Sequence, residues 1–268
     1  MRIITPLLFL AGVMGAYAQP VETVVQRGHE LSVLRVVASR DSSFVITASK
    51  DKTARLWEMS RRREVRSFPG HEASVTSLAV SADWNLLLTG SNDKQVKLWR
   101  IESGEEIFST LTTDYITDVA IDPANRFFIY AGYNDTGRGD TAVVRDLNSK
   151  KVLAKIPVNP DKGLGTGVRI AISPDGKWLA FGEDNRKVSL YSTQDWTVRH
   201  VFQYPEGYCG GCGADMVFTS DSRRIIVAFR HGTVKEYSLN DFAEKRHYLD
   251  NLDELSEIAL GPDNKLLA

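Results

Sequence analysis

Two cysteines form the sharpest chemical motif in the sequence. Cys209 and Cys212 are separated by two glycines, and no other Cys occurs among the 268 residues. Two Cys residues with this spacing occur in redox-active pairs, haem-attachment sites, metal sites and local disulfides. A haem site needs His after Cys212, where Gly213 stands, and structural zinc needs a second Cys pair. We predict a disulfide that staples the loop, with an accessible redox pair as the principal alternative, and no metal site.

A second set of candidates combines imidazole, hydroxyl, carboxylate and indole groups, and it occurs twice. A His beside a carboxylate has the composition of an acid–base pair. The second copy, however, follows the first by 42 residues at every position. Scaffolding repeats at a fixed period, whereas a single active site does not, so we predict a structural role. The two copies are His29, Ser49, Asp51 and Trp57, and His71, Ser91, Asp93 and Trp99.

These residues belong to a repeating unit that runs along most of the chain. Beyond Trp99, alternating apolar segments recur every 46 residues, ending at Arg145, Tyr191 and Tyr237. Five units are complete, and a sixth begins at Leu255. A period of 40 to 50 residues is typical of repeat architectures in which each unit packs only on its neighbours.

Each unit reads as four short strands separated by turn residues. In the second unit we predict strands at 75–80, 86–90, 95–99 and 106–109. Connections this short permit antiparallel meanders and exclude crossover helices. A single four-stranded sheet cannot bury both faces, so neighbouring units must stack, and a ring of them protects the edges. The predicted fold class is all-β, a β-propeller of four-stranded antiparallel blades.

The repeat resembles that of the WD-repeat (WD40) β-propellers, over about residues 21–268. Gly28-His29 with Trp57-Glu58, and Gly70-His71 with Trp99-Arg100, carry the signature almost fully. The resemblance implies that each His, strand-two Ser, turn Asp and strand-three Trp form one hydrogen-bonded tetrad. It also implies a seven-bladed ring, of which this chain would be a fragment. The later units depart from the signature, for instance with Arg145 in place of the Trp, and the hairpin 173–181 is similar to Tol-type periplasmic propellers.

The resemblance also implies where a protein or peptide partner binds. Loops that lead into the first strand and turns between strands two and three form one face of such a ring, and loops on a rigid scaffold commonly carry recognition. A long cation and an aromatic side chain are the strongest anchors in the set, so we favour Lys50 and Tyr115. The implied positions are Ser32, Leu34, Lys50, Ser74, Thr76, Asn92, Tyr115, Thr117 and Asn134.

The composition and the first residues of the chain limit where the protein can be located and which partners it can bind. The formal net charge of −1 argues against binding of nucleic acid through phosphate neutralisation. Arg2, the apolar run 7–13 and the sequence Ala16-Tyr17-Ala18 are typical of a secretory signal peptide. We predict cleavage after Ala18, a propeller domain over 19–268 without a membrane span, and a periplasmic or secreted location.

These observations favour a non-enzymatic scaffold for protein–protein interaction that needs no cofactor. Two alternatives stay open. The sixth unit stops in its second strand, so the propeller could be the accessory part of a longer enzyme, for example a peptidase, with its catalytic domain beyond Ala268. The hairpin at 173–181 also leaves a Tol-type periplasmic propeller open.

Overall fold

The computed structural model of the protein describes most of the chain from residue 28 onward. The predicted signal peptide (1–18) and the predicted disulfide (Cys209 and Cys212) lie outside the described residues. The described residues are 28–134, 140–158, 168–183, 187–203, 214–229, 233–249, 258–261, 264 and 266–267.

Five four-stranded antiparallel sheets, here called blades 1 to 5, follow one another along the described residues, and a two-stranded pair follows blade 5. Blade 1 comprises β1 (Val33–Ala38), β2 (Phe44–Ser49), β3 (Ala54–Glu58) and β4 (Arg63–Phe68). Blade 2 comprises β5 (Val75–Val80), β6 (Leu86–Ser91), β7 (Gln95–Arg100) and β8 (Glu106–Leu111). Blade 3 comprises β9 (Tyr115–Ile121), β10 (Phe127–Tyr133), β11 (Asp140–Asp146) and β12 (Val152–Val158). Blade 4 comprises β13 (Arg169–Ile172), β14 (Trp178–Glu183), β15 (Lys187–Ser192) and β16 (Val198–Gln203). Blade 5 comprises β17 (Ala214–Phe218), β18 (Arg224–Phe229), β19 (Thr233–Ser238) and β20 (Glu244–Leu249), and the final pair is β21 (Ala259–Leu260) with β22 (Leu266–Leu267).

This architecture confirms the predicted all-β fold of four-stranded antiparallel blades. The strands of blade 2 begin at the predicted residues, and three of them extend one or two residues further. No helix with the length and apolar character needed to cross a bilayer occurs among the described residues.

The core lies between the blades, because successive side chains of a strand point to opposite faces of a sheet. In β6, Leu87 packs with Ile46 and Trp99 in the layer between blades 1 and 2. The next residue, Leu88, packs with Phe128 in the layer between blades 2 and 3. Each blade therefore buries both of its faces only when it has a neighbour on either side.

Hydrogen bonds also tie the first strand of one blade to the next blade. The Thr76 hydroxyl donates to the carbonyl of Ile116 over 2.5 Å, and the Thr117 hydroxyl donates to the carbonyl of Val168 over 3.1 Å. First strands of neighbouring blades thus lie side by side, β1 against β5, β5 against β9 and β9 against β13.

A recurring side-chain motif closes the turn between the first and second strands of a blade. In blade 2, the Ser81 hydroxyl donates to Asp83 over 2.5 Å and accepts the backbone N–H of Leu86. Trp84 in this turn has a φ of 57°. A short hydroxyl or carboxylate side chain that bonds to nearby backbone groups is a common way to fix a tight turn. Blades 1, 4 and 5 use the same arrangement at Ser39, Ser173 and Thr219.

Candidate functional site

In blade 2, four side chains form one hydrogen-bonded chain that runs from the surface into the layer between blades 1 and 2. His71 Nδ1 lies 2.8 Å from Asp93 Oδ2, and His71 Nε2 lies 2.8 Å from the Thr89 hydroxyl. The Trp99 indole N–H donates to the same hydroxyl over 2.9 Å. Because the carboxylate accepts from Nδ1–H, Nε2 accepts the hydroxyl proton, and the network fixes one tautomer of a neutral imidazole.

Blade 1 repeats this chain with nearly the same distances. His29 Nδ1 lies 2.8 Å from Asp51 Oδ2, and His29 Nε2 lies 2.6 Å from the Thr47 hydroxyl. The Trp57 indole N–H donates to Thr47 over 2.7 Å. The arrangement therefore belongs to the repeat and not to one blade.

The structure corrects the hydroxyl member of both tetrads, which sequence analysis assigned to Ser49 and Ser91. Ser49 donates instead to the carbonyl of Leu31 over 3.2 Å and accepts the N–H of Asp51 over 3.1 Å, and Ser91 occupies the corresponding place in blade 2. Thr47 and Thr89 lie two residues earlier on the same face of the strand. The period of two along a strand makes both the Thr and the Ser of each blade candidates, but it does not choose between them.

Burial and hydrogen bonding set the protonation states in the tetrads. Burial lowers the pKa of His71 despite the opposing effect of Asp93, which keeps the imidazole neutral. Burial would raise the pKa of Asp51, but hydrogen bonds from Thr53 and His29 outweigh it and lower that pKa to about 2. For Asp93 burial acts in the same opposing way, and the hydrogen bonds from Glu72 and His71 still lower its pKa. The tetrad of blade 2 thus holds one carboxylate and one neutral imidazole, and the tetrad of blade 1 holds a carboxylate of the same kind.

The carboxylates connect the tetrads to the rim of the propeller. Asp93 accepts the backbone N–H of Glu72, in the loop that leads into β5, and of Gln95, at the start of β7, each over 2.8 Å. Asp51 does the same for Glu30 and Thr53, each over 3.1 Å. The tetrads therefore clamp two adjacent loops of each blade, and these are the loops that carry the predicted partner positions.

The predicted positions of blades 1 and 2 lie together at this rim. The Lys50 N–H donates to the carbonyl of Ser32, and the Asn92 N–H donates to the carbonyl of Ser74, each over 3.0 Å. The side chains of Ser32, Lys50 and Asn92 are exposed. Leu34 and Ser74 are half-buried beside them.

Thr76 and Thr117 have a different position from the rest of that set. Both are half-buried, and their hydroxyl protons are used in the bonds between neighbouring blades described above. Their hydroxyls hold the inner strands together, so we do not include them among the groups offered to a partner.

Blade 3 places two tyrosines at the rim. Tyr115 pairs with Tyr133 across β9 and β10, their rings 5.4 Å apart, and the Lys94 ammonium lies 4.4 Å from the centre of the Tyr115 ring. Tyr133 therefore lies opposite Tyr115 in blade 3 as Asn92 lies opposite Ser74 in blade 2. Asn134, the predicted residue, lies one position further on, where the carboxylate Asp93 stands in blade 2. Asn134 follows Asn92 by 42 residues, whereas Tyr115 follows Ser74 by 41, so the predicted set is out of register by one residue at Asn134.

The later blades fill the Trp position in other ways. Tyr191 packs edge to face on Phe181, with ring centres 5.4 Å apart, and Tyr237 lies 4.5 Å from the Phe202 ring. Arg145 in blade 3 instead donates from Nε to the Tyr130 hydroxyl over 3.1 Å. In the part of the chain that the structure describes, no three His, Cys, Asp or Glu side chains are grouped as metal ligands.

Comparison with known families agrees with this geometry. Two segments, residues 19–58 and 62–100, match the family model described as WD domain, G-beta repeat. They are the segments that contain the two tetrads. No curated protein sequence matches the chain.

Proposed function

We propose that the chain, two segments of which match the WD-repeat family model, is a protein-interaction scaffold that works outside the cytoplasm. The WD40 propeller fold supports an interaction scaffold in general. The observation that carries the proposal for this chain is the clamped rim, in which each tetrad carboxylate fixes the two loops that present Lys50 or Asn92. A rigid rim lowers the entropy cost of binding, because its loops are ordered before the partner arrives.

We further propose that Lys50 and Tyr115 are the anchors on this rim. Lys50 is an exposed cation at the tip of the turn between β2 and β3. Tyr115 lies against Tyr133 and Lys94, so its ring is held in one orientation. Aromatic side chains supply a large contact area at low entropic cost and are enriched among the residues that dominate binding energy.

Site-specific photo-crosslinking tests which face binds the partner. A photoreactive residue would replace Lys50 or Tyr115, and a matched control would replace Arg62, an exposed cation at the opposite end of blade 1. We expect one partner to be crosslinked from positions 50 and 115 but not from 62. Against that purified partner, Lys50→Ala and Tyr115→Ala should each raise Kd about tenfold or more, and Arg62→Ala should leave it unchanged. Crosslinking from position 62, or undiminished binding by both rim variants, would contradict the proposed face.

The proposed location outside the cytoplasm rests on the N-terminal sequence. Arg2, the apolar run 7–13 and Ala16-Tyr17-Ala18 follow the order of charged, apolar and small residues in a signal peptide. Expression of the full chain in a bacterium, followed by fractionation and mass spectrometry, tests it. We expect a mature chain that starts at Gln19 in the periplasm or the medium. An unprocessed chain retained in the cytoplasm would refute the proposed export while leaving the rim proposal intact.

A further inference from the structure

A cavity in blade 3 lies where blades 1 and 2 have their tetrads. Its volume is about 380 Å³, within the range of small-ligand sites. In blade 2 the corresponding space holds His71 and Trp99, which are 6% and 3% exposed. The cavity is therefore an opening in blade 3 at a place that side chains fill in blade 2.

Strand register shows which side chains replaced the tetrad. In blade 2, Trp99 pairs with Leu87 and Thr89 pairs with Lys97. In blade 3, Arg145 pairs with Phe128 and Tyr130 pairs with Val143, so Arg145 has the Trp position and Tyr130 the Thr position. Thr112 has the His position, because it stands three residues before Tyr115 as His71 stands three residues before Ser74. All three replacements line the cavity.

The polar wall of the cavity contains two cations. The Arg145 guanidinium is half-buried, and it donates from Nε to Tyr130 and from Nη1 to the carbonyl of Lys150. These two bonds fix its plane and leave Nη2 with donors to spare among the described residues. Lys155, directly across the ladder from Val143, adds a second positive charge at the exposed edge. Neither cation forms an ion pair with any described carboxylate.

The other walls define the size and charge of a ligand. Leu111 and Val152 lie at the mouth, 74% and 44% exposed, and Ile116 lies deeper and is buried. One carboxylate, that of Asp114, also lines the cavity, and the Thr113 hydroxyl donates to it over 3.0 Å. Among the described lining residues, two cations against one carboxylate leave a net charge of about +1, which suits a single anionic group attached to a short carbon chain.

We infer that this cavity binds an organic carboxylate, either a free small acid or the acidic side chain of a peptide. Arg145 and Lys155 bind the carboxylate, because charge-assisted hydrogen bonds from a planar guanidinium match its two oxygens. Leu111, Val152 and Ile116 contact the carbon chain. The inference goes beyond the scaffold function and does not depend on it, since the probes below require no protein partner.

Titration calorimetry with matched probe pairs tests the ligand class. Butyrate is compared with butyramide, and N-acetylglutamate N-methylamide is compared with its glutamine counterpart. We expect Kd on the order of 1 mM for at least one acid, and at least tenfold weaker binding for its neutral amide. Binding of butyrate alone identifies a free acid, and binding of the glutamate probe alone identifies a peptide side chain. Equal binding of acid and amide, or inorganic phosphate binding as tightly as the acids, would overturn the inference.

Variants of the cavity locate the binding. Arg145→Trp restores the residue type that fills this space in blades 1 and 2, so we expect a folded protein that has lost acid binding by at least tenfold. Lys155→Ala alters an exposed side chain and should weaken binding about threefold to tenfold without affecting folding. Lys151→Ala makes the same charge change in the same blade, outside the cavity, and should bind like the wild type. If Lys155→Ala and Arg145→Trp each bind the acid like the wild type, the acid binds elsewhere and the assignment is refuted. The same follows if Lys151→Ala weakens binding as much as these two variants do.

Discussion

Blades 2 and 3 have the same strand order and stack on the same kind of neighbours, yet they use the space beneath the rim differently. In blade 2, Asp93, His71, Thr89 and Trp99 link the surface loops to the buried layer through one chain of hydrogen bonds. In blade 3, Arg145 and Tyr130 replace the innermost members, and a cavity of about 380 Å³ remains. The backbone repeat therefore does not require the tetrad, and its loss turns a closed structural layer into an accessible one.

The largest expected difference between the two blades comes from removing the carboxylate. Asp93→Ala leaves His71 and the N–H groups of Glu72 and Gln95 without their acceptor, so we expect a loss of about 3 kcal/mol in the free energy of unfolding. Urea denaturation measures it. Asn134→Ala, at the equivalent position of blade 3, is the matched control; it removes a neutral amide and not a carboxylate that holds an imidazole, so it should cost less than Asp93→Ala. Equal losses would show that the tetrad does not distinguish the blades.

The tetrad hydroxyl gives the next largest effect. Thr89→Val keeps the shape of the side chain but leaves the His71 Nε2 and the Trp99 indole N–H unpaired, for which we expect a cost of about 2 kcal/mol and a shifted indole N–H resonance in NMR spectra. Ser91→Ala is the control. It removes bonds to Ala73 and Asp93 only, so the indole resonance should stay in place. If the indole resonance shifted in Ser91→Ala and not in Thr89→Val, Ser91 and not Thr89 would be the hydroxyl member of the tetrad.

The sequence predicted the blades better than the contacts within them. Alternation and turn residues located the strands of blade 2 to within two residues, because local propensity and burial act in the same direction there. Thr89 and Ser91 lie on the same face of β6, so the choice between them depends on which of the two positions along the strand lies at His71, and a spacing count does not contain that information. In blade 3 an offset of one residue changed Asn134 from a rim position to the position of a tetrad carboxylate. The cavity could not be predicted at all, since it arises from the difference in volume between side chains that meet only in three dimensions.

The inner strands offer a smaller effect that depends on pH. Asp118 in β9 accepts the N–H of Ile170 from blade 4 over 2.8 Å, and burial raises its pKa to about 7, although the bond from Ile170 and the charge of Arg35 oppose this. The folded state then binds one more proton than the unfolded state between about pH 4 and 7, so stability falls as the pH rises through this range. Ser77 has the corresponding position in blade 2 and does not titrate there.

The variant Asp118→Asn isolates this contribution. The amide keeps an oxygen for the Ile170 N–H but does not titrate, so it should remove the pH dependence. We expect the wild type to lose about 1 to 2 kcal/mol more than the variant between pH 6 and pH 8, as measured by urea denaturation at both values. Ser77→Ala serves as the control and should leave the wild-type slope. Parallel pH profiles for the wild type and Asp118→Asn would exclude a raised pKa at this position.

The smallest expected effect is that of the hydroxyl in blade 3 that replaces the tetrad threonine. Tyr130→Phe removes the acceptor of Arg145 Nε, but the guanidinium is half-buried and keeps its bond to the carbonyl of Lys150, so water can take the vacated place. We expect a cost below about 1 kcal/mol in urea denaturation, against about 2 kcal/mol for Thr89→Val in blade 2. The same hydroxyl orients the guanidinium, so the variant should bind butyrate or the glutamate probe more weakly than the wild type. A stability loss as large as that of Thr89→Val would contradict this expectation. It would mean that the bond between Arg145 and Tyr130 stabilises blade 3 as much as the tetrad hydroxyl stabilises blade 2.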